Sequence, residues 1–531
     1  MRKLSVVHPF LFALYPVLFI FSRNISELEL DALLIPATLV LASAVLLLLM
    51  VNLCIRDYYK AAMLTSLYIM LFFSYGPVWH LISYREIFGY VVERHRYLLV
   101  VWVMLLGGGT LVIIMLKKGV YNLTKVLNLV AAVCIIPALI TIVTCVVLRR
   151  PVNLDDLIKT ETVPTGDTSG ITNKLPDIYY IIFDRYASAG TLKDIYGFDN
   201  KDIINYLSGK GFYIASQSNA NYLKTAHSLA SSLNMEYINS LSEKMKKRPD
   251  DWTPLFTMLQ DHKTQRFLKS KGYEYIQIGS YYVPTRENKY ADKNINYNLP
   301  NYFLYMLYQN TVLYPFLSSL DIARLKDERR LHFETTLWQF EAIANIPLMK
   351  EKKPVFVFAH MLIPHRPFVF DEYGNYQKKK FVATRNDNLA EKEKEQNERY
   401  VQLVKFVNKE MIKMIDKILS RSKTSPIIII QADEGPFPIR YVVYGDEFNW
   451  KKQATDREIK QKYGILNAYY LPGIDKKKLY PSITPVNSFR LVFNLYFKTQ
   501  FKLLPDENYA FKDNKHLYSF FSITDKLKKL Q

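Results

Sequence analysis

Five uncharged apolar runs crowd the first 150 of 531 residues, at roughly 4–22, 32–54, 61–84, 97–116 and 126–148. Each approaches the ~20 residues a helix needs to cross the hydrocarbon, where only segments that satisfy their own backbone groups are tolerated. Residues 1–150 are therefore expected to form about five transmembrane helices. The first run, with His8, Pro9 and Pro16, is the weakest of them. A cleavable signal peptide is the alternative there, but no small-x-small cleavage site follows it and further spans do. No Asp, Glu, Lys or Arg falls mid-span, which argues against a transport path. With the N-terminus inside, seven basic residues (Arg2, Lys3, Arg56, Lys60, Lys117, Lys118, Lys125) would face the cytoplasm against six outside (Arg23, Arg85, Arg94, Arg96, Arg149, Arg150). Charge bias alone barely orients such a bundle. An odd number of spans with an inside start puts the rest of the chain outside the cytoplasm.

Residues 151–176 lack apolar periodicity and hold Pro164, Gly166, Asp167, Ser169 and Gly170, the composition of a linker. Residues 177–531 read as one further domain. Apolar runs at 178–184, 212–215, 274–279, 355–360, 426–432 and 465–471 are expected strands. Val401, Val404, Val407, Met411, Met414, Ile415 and Ile418 form a helical stripe running directly into the Ile427–Ile430 run. Such alternation predicts an α/β domain, a mostly parallel sheet with helices on both faces. The charged stretch 376–399 reads as a solvated loop leading into that helix, and the aromatic segment 299–320 as a buried helix pair, with membrane-interface contact as the other reading. All three cysteines, Cys54, Cys134 and Cys145, lie in the apolar region. The remainder therefore has no disulfide framework and no thiolate metal site. Of the net charge of +20, +13 belongs to residues beyond 150. That surplus suits an anionic lipid or polymer substrate as well as it suits a merely Lys-rich surface. No nucleic-acid reader motif accompanies it.

Candidate chemistry gathers where strands end. Asp184 closes Ile178-Tyr-Tyr-Ile-Ile-Phe-Asp184, and Asp433 closes Ile427-Ile-Ile-Ile-Gln-Ala-Asp433, followed by Glu434. Either Asp alone reads as a turn residue. Together with Glu434 they are costly to bury without a cation. With the hydroxyl of Thr225 they make an all-oxygen donor set that suits one divalent metal, Mn²⁺ or Mg²⁺ first and Ca²⁺ next. Thr225 precedes Ser228-Leu-Ala-Ser-Ser-Leu233 at an expected helix entrance, where it reads either as an N-cap or as a nucleophile; Ser228 could claim the same role. His360 ends a strand run, and His365 and Arg366 follow between Pro364 and Pro367. That pair of histidines with Arg366 could hold an anion and protonate a leaving oxygen.

The order Asp184, Thr225 with its Ser-Leu-Ala-Ser-Ser-Leu helix, His360/His365 and Asp433-Glu-Gly resembles the alkaline phosphatase/sulfatase superfamily. The amino-terminal spans make the chain most similar to membrane-anchored sulfatase-like proteins, the group of lipoteichoic acid synthases and phosphoethanolamine transferases. The resemblance covers about 178–500. It implies an outward-facing parallel-sheet domain on the cell membrane, a metal held by the first acid, the Thr and an Asp-His pair, and a Thr nucleophile. It also implies a phosphoryl-type transferase acting on a lipid-linked or envelope substrate, with hydrolase or an inactive scaffold as alternatives. Glu434 stands where the family has His, and is retained as a ligand. Thr225-Ala226-His227 lacks the Cys/Ser-x-Pro-x-Arg context of formylglycine sulfatases, which speaks against sulfate-ester hydrolysis.

Overall fold

A computed structural model describes residues 5–25, 28, 30–83, 86–87, 90–91, 95–148, 175–297, 301–318, 320, 327–349 and 353–530. The expected linker falls almost wholly outside these residues. The chain divides into two units, one of residues 1–151 and 298–327, the other of 152–297 and 328–531.

In the first unit the apolar runs form α1 (His8–Arg23), α2 (Leu34–Ile55), α3 (Tyr58–Ile82), α4 (His95–Met115) and α5 (Val120–Leu148). Among the described residues four helices are long and apolar enough to cross a membrane; the first run gives only the 16 residues of α1. At 1.5 Å per residue α1 spans about 24 Å, short of the ~30 Å hydrocarbon thickness. Proline in its first turn starts it late, and Asn24 closes it. α1 packs against α5, α3 and α2 and buries Val17 and Phe21 completely. The aromatic segment after residue 300 joins this unit. Its short helix Tyr302–Gln309 seats Phe303 edge-on against Phe21 at 5.9 Å, and the Gly76 N–H donates to Asn310 O at 3.1 Å.

The second unit is an α/β domain around a seven-stranded sheet. Its strands are β1 (Ile178–Phe183), β2 (Tyr213–Ile214), β3 (Glu274–Ile278), β4 (Lys293–Ile295), β5 (Val355–Met361), β6 (Ile427–Gln431) and β7 (Asn467–Tyr470), in spatial order β2-β7-β6-β1-β5-β3-β4. β6, β1, β5, β3 and β4 run parallel, while β7 is antiparallel to both of its neighbours. β1, β5 and β6 are buried along their whole length, as continuous Ile/Val/Phe runs require when both faces are covered. The helices that position the site are α6 (Thr225–Asn234), α7 (Leu389–Arg421), α8 (Asp456–Tyr463) and α9 (Pro485–Phe497). Val404, Val407, Met411, Met414, Ile415 and Ile418 of α7 are buried, so the stripe read from sequence faces the core. Residues 376–388 form no helix or strand and are largely exposed before Asn388 caps α7.

Candidate active site

The sheet's three central strands carry the site at their carboxyl ends, where ligands of open α/β sheets collect. Asp184 follows β1, and its N–H donates to Met361 O at 2.9 Å, tying the ends of β1 and β5 together. His360 lies in β5 opposite Ile182. Asp433 lies two residues beyond β6. One donor atom from each of Asp184, His360 and Asp433 falls within 4.8 Å of the other two. All three residues are buried, and Asp184 Oδ1, His360 Nε2 and Asp433 Oδ2 have no hydrogen-bond partner.

Buried polar atoms rarely stay unpaired. Burial, then the neighbouring Asp433, drives the Asp184 carboxyl well above its ordinary range. Burial takes His360 down to about 3, so its imidazole is neutral. Its Nδ1 meets Thr285 Oγ1 at 2.9 Å, and Thr285 Oγ1 can pass its own proton to Tyr282 O at 3.3 Å. That arrangement puts the ring proton on Nδ1 and leaves the Nε2 lone pair facing Asp184 Oδ2, 3.8 Å away. Two carboxylates and a correctly tautomeric imidazole fit a divalent metal. A Thr285→Val variant should fold normally yet bind Mn²⁺ or Zn²⁺ about 10–100-fold more weakly, as metal titration would show.

Glu434 is fully buried but outside this convergent group. Its Oε1 accepts from Arg185 Nε at 3.0 Å and Lys462 Nζ at 2.8 Å, while Oε2 is unpartnered. Lys462, in α8, is buried as completely and also donates to Gly435 O at 2.8 Å. Burial lowers it to about 7, with Glu434 pulling the other way. A Cβ on Gly435 would lie 2.3 Å from Gln461 O, so glycine is what lets this turn press against α8. Removing one partner of a buried pair strands the other charge. Glu434 keeps Arg185 as a partner, so Lys462→Met should cost less than full stranding, about 1–3 kcal/mol of stability, measurable by urea unfolding.

Arg185 holds a left-handed backbone, φ 65°, a conformation side-chain-bearing residues keep only where their surroundings fix it. Here its N–H reaches Asp433 Oδ1 at 3.3 Å and its carbonyl accepts from Tyr400 OH at 2.7 Å. The Phe437 ring gathers three cations: Lys462 Nζ at 3.4 Å, Arg185 Cζ at 4.3 Å and Lys224 Nζ at 5.3 Å from its centroid. Lys224 is the N-cap of α6, so Thr225 is the first helical residue and not the cap. The Lys224 side chain makes no capping bond and donates instead to Tyr441 OH at 2.6 Å. The Lys224 side chain at the entrance of α6 thus shares the Phe437 ring with Arg185 and Lys462, and the helix start carries no N-cap side-chain bond. Ser228 is buried, its hydroxyl donating to Tyr222 O at 3.1 Å. His227 is packed on Phe511 and bonded to Leu517 O.

His365 and Arg366 line a small cavity with Arg185 and Phe437. His365 Nδ1 contacts Arg366 O, and burial, reinforced by Arg185, pushes its pKa well below the ordinary value. Burial and Arg185 bring Arg366 down to about 10, still charged at neutral pH. The residues named from sequence thus divide: Asp184, Asp433 and His360 converge, Glu434 sits in an ion network beside them, and His365 and Arg366 line an adjoining cavity. Arg185, Lys462 and Thr285 carried no sequence signal beyond Arg185 adjoining Asp184.

No curated protein sequence matches the chain. Among solved structures the chain is similar to the C-terminal periplasmic domain of EcEptC from Escherichia coli in complex with Zn, with 11% identity and TM-score 0.42 over 68% of this chain and 96% of that one. It is similar to the lipooligosaccharide phosphoethanolamine transferase EptA from Neisseria meningitidis, with 15% identity and TM-score 0.38 over 93% and 95%. It is also similar to the lipoteichoic acid synthase LtaP from Listeria monocytogenes, with 13% identity and TM-score 0.37 over 70% and 86%. The sulfatase family profile matches residues 211–486, just over half of the chain and the span holding Thr225, His360, His365, Asp433 and Glu434. The chain is a member of the sulfatase family.

Proposed function

We propose that this protein is a membrane-tethered phosphoryl-type transferase with Thr225 as nucleophile, its second unit lying on the extracytoplasmic side. The observation that carries the reading is the buried cluster of Asp184, His360 and Asp433 at adjacent strand ends, in which Asp184 Oδ1, His360 Nε2 and Asp433 Oδ2 have no hydrogen-bond partner. A divalent metal held by Asp184, His360 and Asp433 would supply charge stabilisation and lower the pKa of a nearby hydroxyl. The imidazole in this set moves the expected identity from Mg²⁺ or Ca²⁺ towards Mn²⁺ or Zn²⁺. Glu434, with Oε1 saturated by Arg185 and Lys462, acts chiefly as their counter-charge; only its Oε2 is left to serve as a ligand.

In the first step Thr225 Oγ bonds to phosphorus while the bond from phosphorus to the lipid alcohol breaks, the Thr225 hydroxyl proton ending on the departing alcohol oxygen. The uncapped start of α6, Arg185 and Arg366 neutralise the phosphoryl oxygens. In the second, an acceptor hydroxyl bonds to phosphorus as the Thr225 ester bond breaks. With Nδ1–H directed to the Arg366 carbonyl, His365 Nε2 is the neutral nitrogen able to relay the acceptor's proton to the departing Thr225 oxygen. Water in place of a sugar or lipid hydroxyl would make the same site a hydrolase. Thr225-Ala-His227 offers no formylglycine precursor, so sulfate esters do not fit. The four helices among the described residues that are long and apolar enough to cross a membrane favour a lipid-linked donor. The test is mass spectrometry of the full-length protein after incubation with Mn²⁺ and a bacterial lipid extract. A phosphate-containing adduct on the Thr225 peptide is expected; an adduct on Ser228, or none, overturns the assignment.

A further inference from the structure

Beyond residue 150 the longest stretch without Asp, Glu, Lys or Arg is 294–320, and the reaction outlined above makes no use of it. Residues 298–327 belong to the first unit, although the chain on both sides of them belongs to the second. Within them lie the helix Tyr302–Gln309, a turn, and one further helical turn, Tyr314–Leu317. One face of this segment is built into the helix bundle. Phe303 and Leu307 are buried in a cluster with Val17 and Phe21 of α1 and Ile142 of α5. Two backbone bonds hold the turn to α3: the Gly76 N–H donates to Asn310 O at 3.1 Å, and the Val312 N–H donates to Phe72 O at 2.9 Å. They lie beside Pro77, which brings no N–H to the ladder of α3. A Cβ on Gly76 would stand 2.5 Å from Asn310 Cα, so glycine is what permits the approach. Side-chain donors in the turn close on the segment itself, Asn310 Nδ2 on Met306 O at 2.7 Å and Thr311 Oγ1 on Tyr308 O at 2.8 Å. Irregular backbone is tolerated at membrane depth only when it is bonded inside protein in this way.

Depth and exposure identify what meets the other face. Phe72 lies ten residues before the end of α3, and Gly76, Ile142 and Val17 lie six before the ends of their helices. At 1.5 Å per residue the contacts fall about 9–15 Å inside those ends, within one half of a ~30 Å hydrocarbon layer. Between 302 and 318 the only exposed side chains are Leu313 and Phe316, at 43% and 52%, while the polar Thr311 of the same turn is 5% exposed. A turn facing water would show the reverse, its threonine outside and its leucine and phenylalanine inside.

We propose that residues 302–317 are a re-entrant membrane element whose Leu313 and Phe316 side chains lie against lipid acyl chains. The chain leaves the second unit to form this element and returns to it afterwards, so the element fastens that unit to the bilayer at a second place, separate from the 151–176 connection. The inference rests on α2–α5 spanning the bilayer, and not on the identity of the nucleophile or the metal.

The experiment uses the full-length protein in phosphatidylcholine vesicles, with Cys54, Cys134 and Cys145 replaced by Ser and one spin label at a time on Leu313→Cys or Phe316→Cys. Both side chains are exposed, so neither substitution removes a core contact. Met104→Cys, exposed on α4, is the hydrocarbon reference, and Tyr373→Cys, exposed in the second unit, is the aqueous one. Spin relaxation is compared with oxygen, which concentrates in hydrocarbon, and with a water-soluble nickel chelate, which is excluded from it. Labels at 313 and 316 should match Met104→Cys, with high oxygen access and nickel access at least about tenfold below that at Tyr373→Cys. Nickel access equal to that at Tyr373→Cys puts the turn in water and overturns the proposal. Low access to both reagents means that protein covers the turn, a second copy of this chain included, and overturns it as well. Nickel access at Met104→Cys itself would sink the membrane reading of the first unit, and this inference with it.

Discussion

Thr225→Ala is expected to lower turnover by about 10⁴-fold or more, the scale seen when a covalent nucleophile is removed, while the protein folds and binds metal as before. The structural part of this expectation rests on what Thr225 does not do. Lys224, not Thr225, is the N-cap of α6, so the substitution removes no cap, and Ala is the better helix former. Unfolding free energy should stay within about 0.5 kcal/mol of the native value. The control is Ser228→Ala. Its hydroxyl is tied to Tyr222 O in a buried setting, so losing it should cost stability more than rate. Steady-state kinetics beside thermal unfolding for the two variants separates the roles. Retained turnover in Thr225→Ala with loss in Ser228→Ala would hand the nucleophile to Ser228.

The six strands expected from sequence are all present; β1, β5 and β6 are continuous apolar runs buried along their whole length, β3 and β7 are buried at all but one residue, and β2 is a half-buried edge pair. β4, Lys293-Asn-Ile295, carries no such signal because it is short, lies at the sheet edge and is only half-buried. β7 lies in an apolar run like those of the sheet's parallel strands, so its antiparallel pairing with both neighbours could not be read from it. At the site, Asp184 and Asp433 were legible as carboxylates ending buried strands. That His360 stands beside them depends on β5 pairing directly with β1, a fact of strand order and not of local sequence. Lys462 was the least legible. Asp456-Arg-Glu-Ile-Lys-Gln-Lys462 looks like a solvated helix face, yet Lys462 is fully buried against Glu434. Only the tertiary position of α8 turns that charge inward.

Asp184→Asn should abolish metal binding and, in the same experiment, make the metal-free protein more stable at neutral pH than the native sequence. The two effects share one cause. In the metal-free site Asp184 is buried beside Asp433, and both burial and that carboxylate raise its pKa. A carboxyl whose folded pKa exceeds its unfolded value contributes stability that is fully present below the unfolded value and lost as pH rises through the folded one. Metal-free native protein should therefore become more stable on acidification through that window, and the neutral amide introduced by Asp184→Asn should remove this pH dependence. Metal acts in the opposite sense, stabilising by about 4 kcal/mol when present at a thousand times its dissociation constant. Thermal unfolding with and without EDTA at neutral and mildly acidic pH reads all of this. EDTA should lower the midpoint of the native protein and leave Asp184→Asn unmoved. Asp433→Asn should behave likewise, since its Oδ2 is the third unpartnered atom of the group. An EDTA-sensitive midpoint and full metal content in both variants would make these carboxylates structural, and would leave the unpartnered His360 Nε2 without a ligand role.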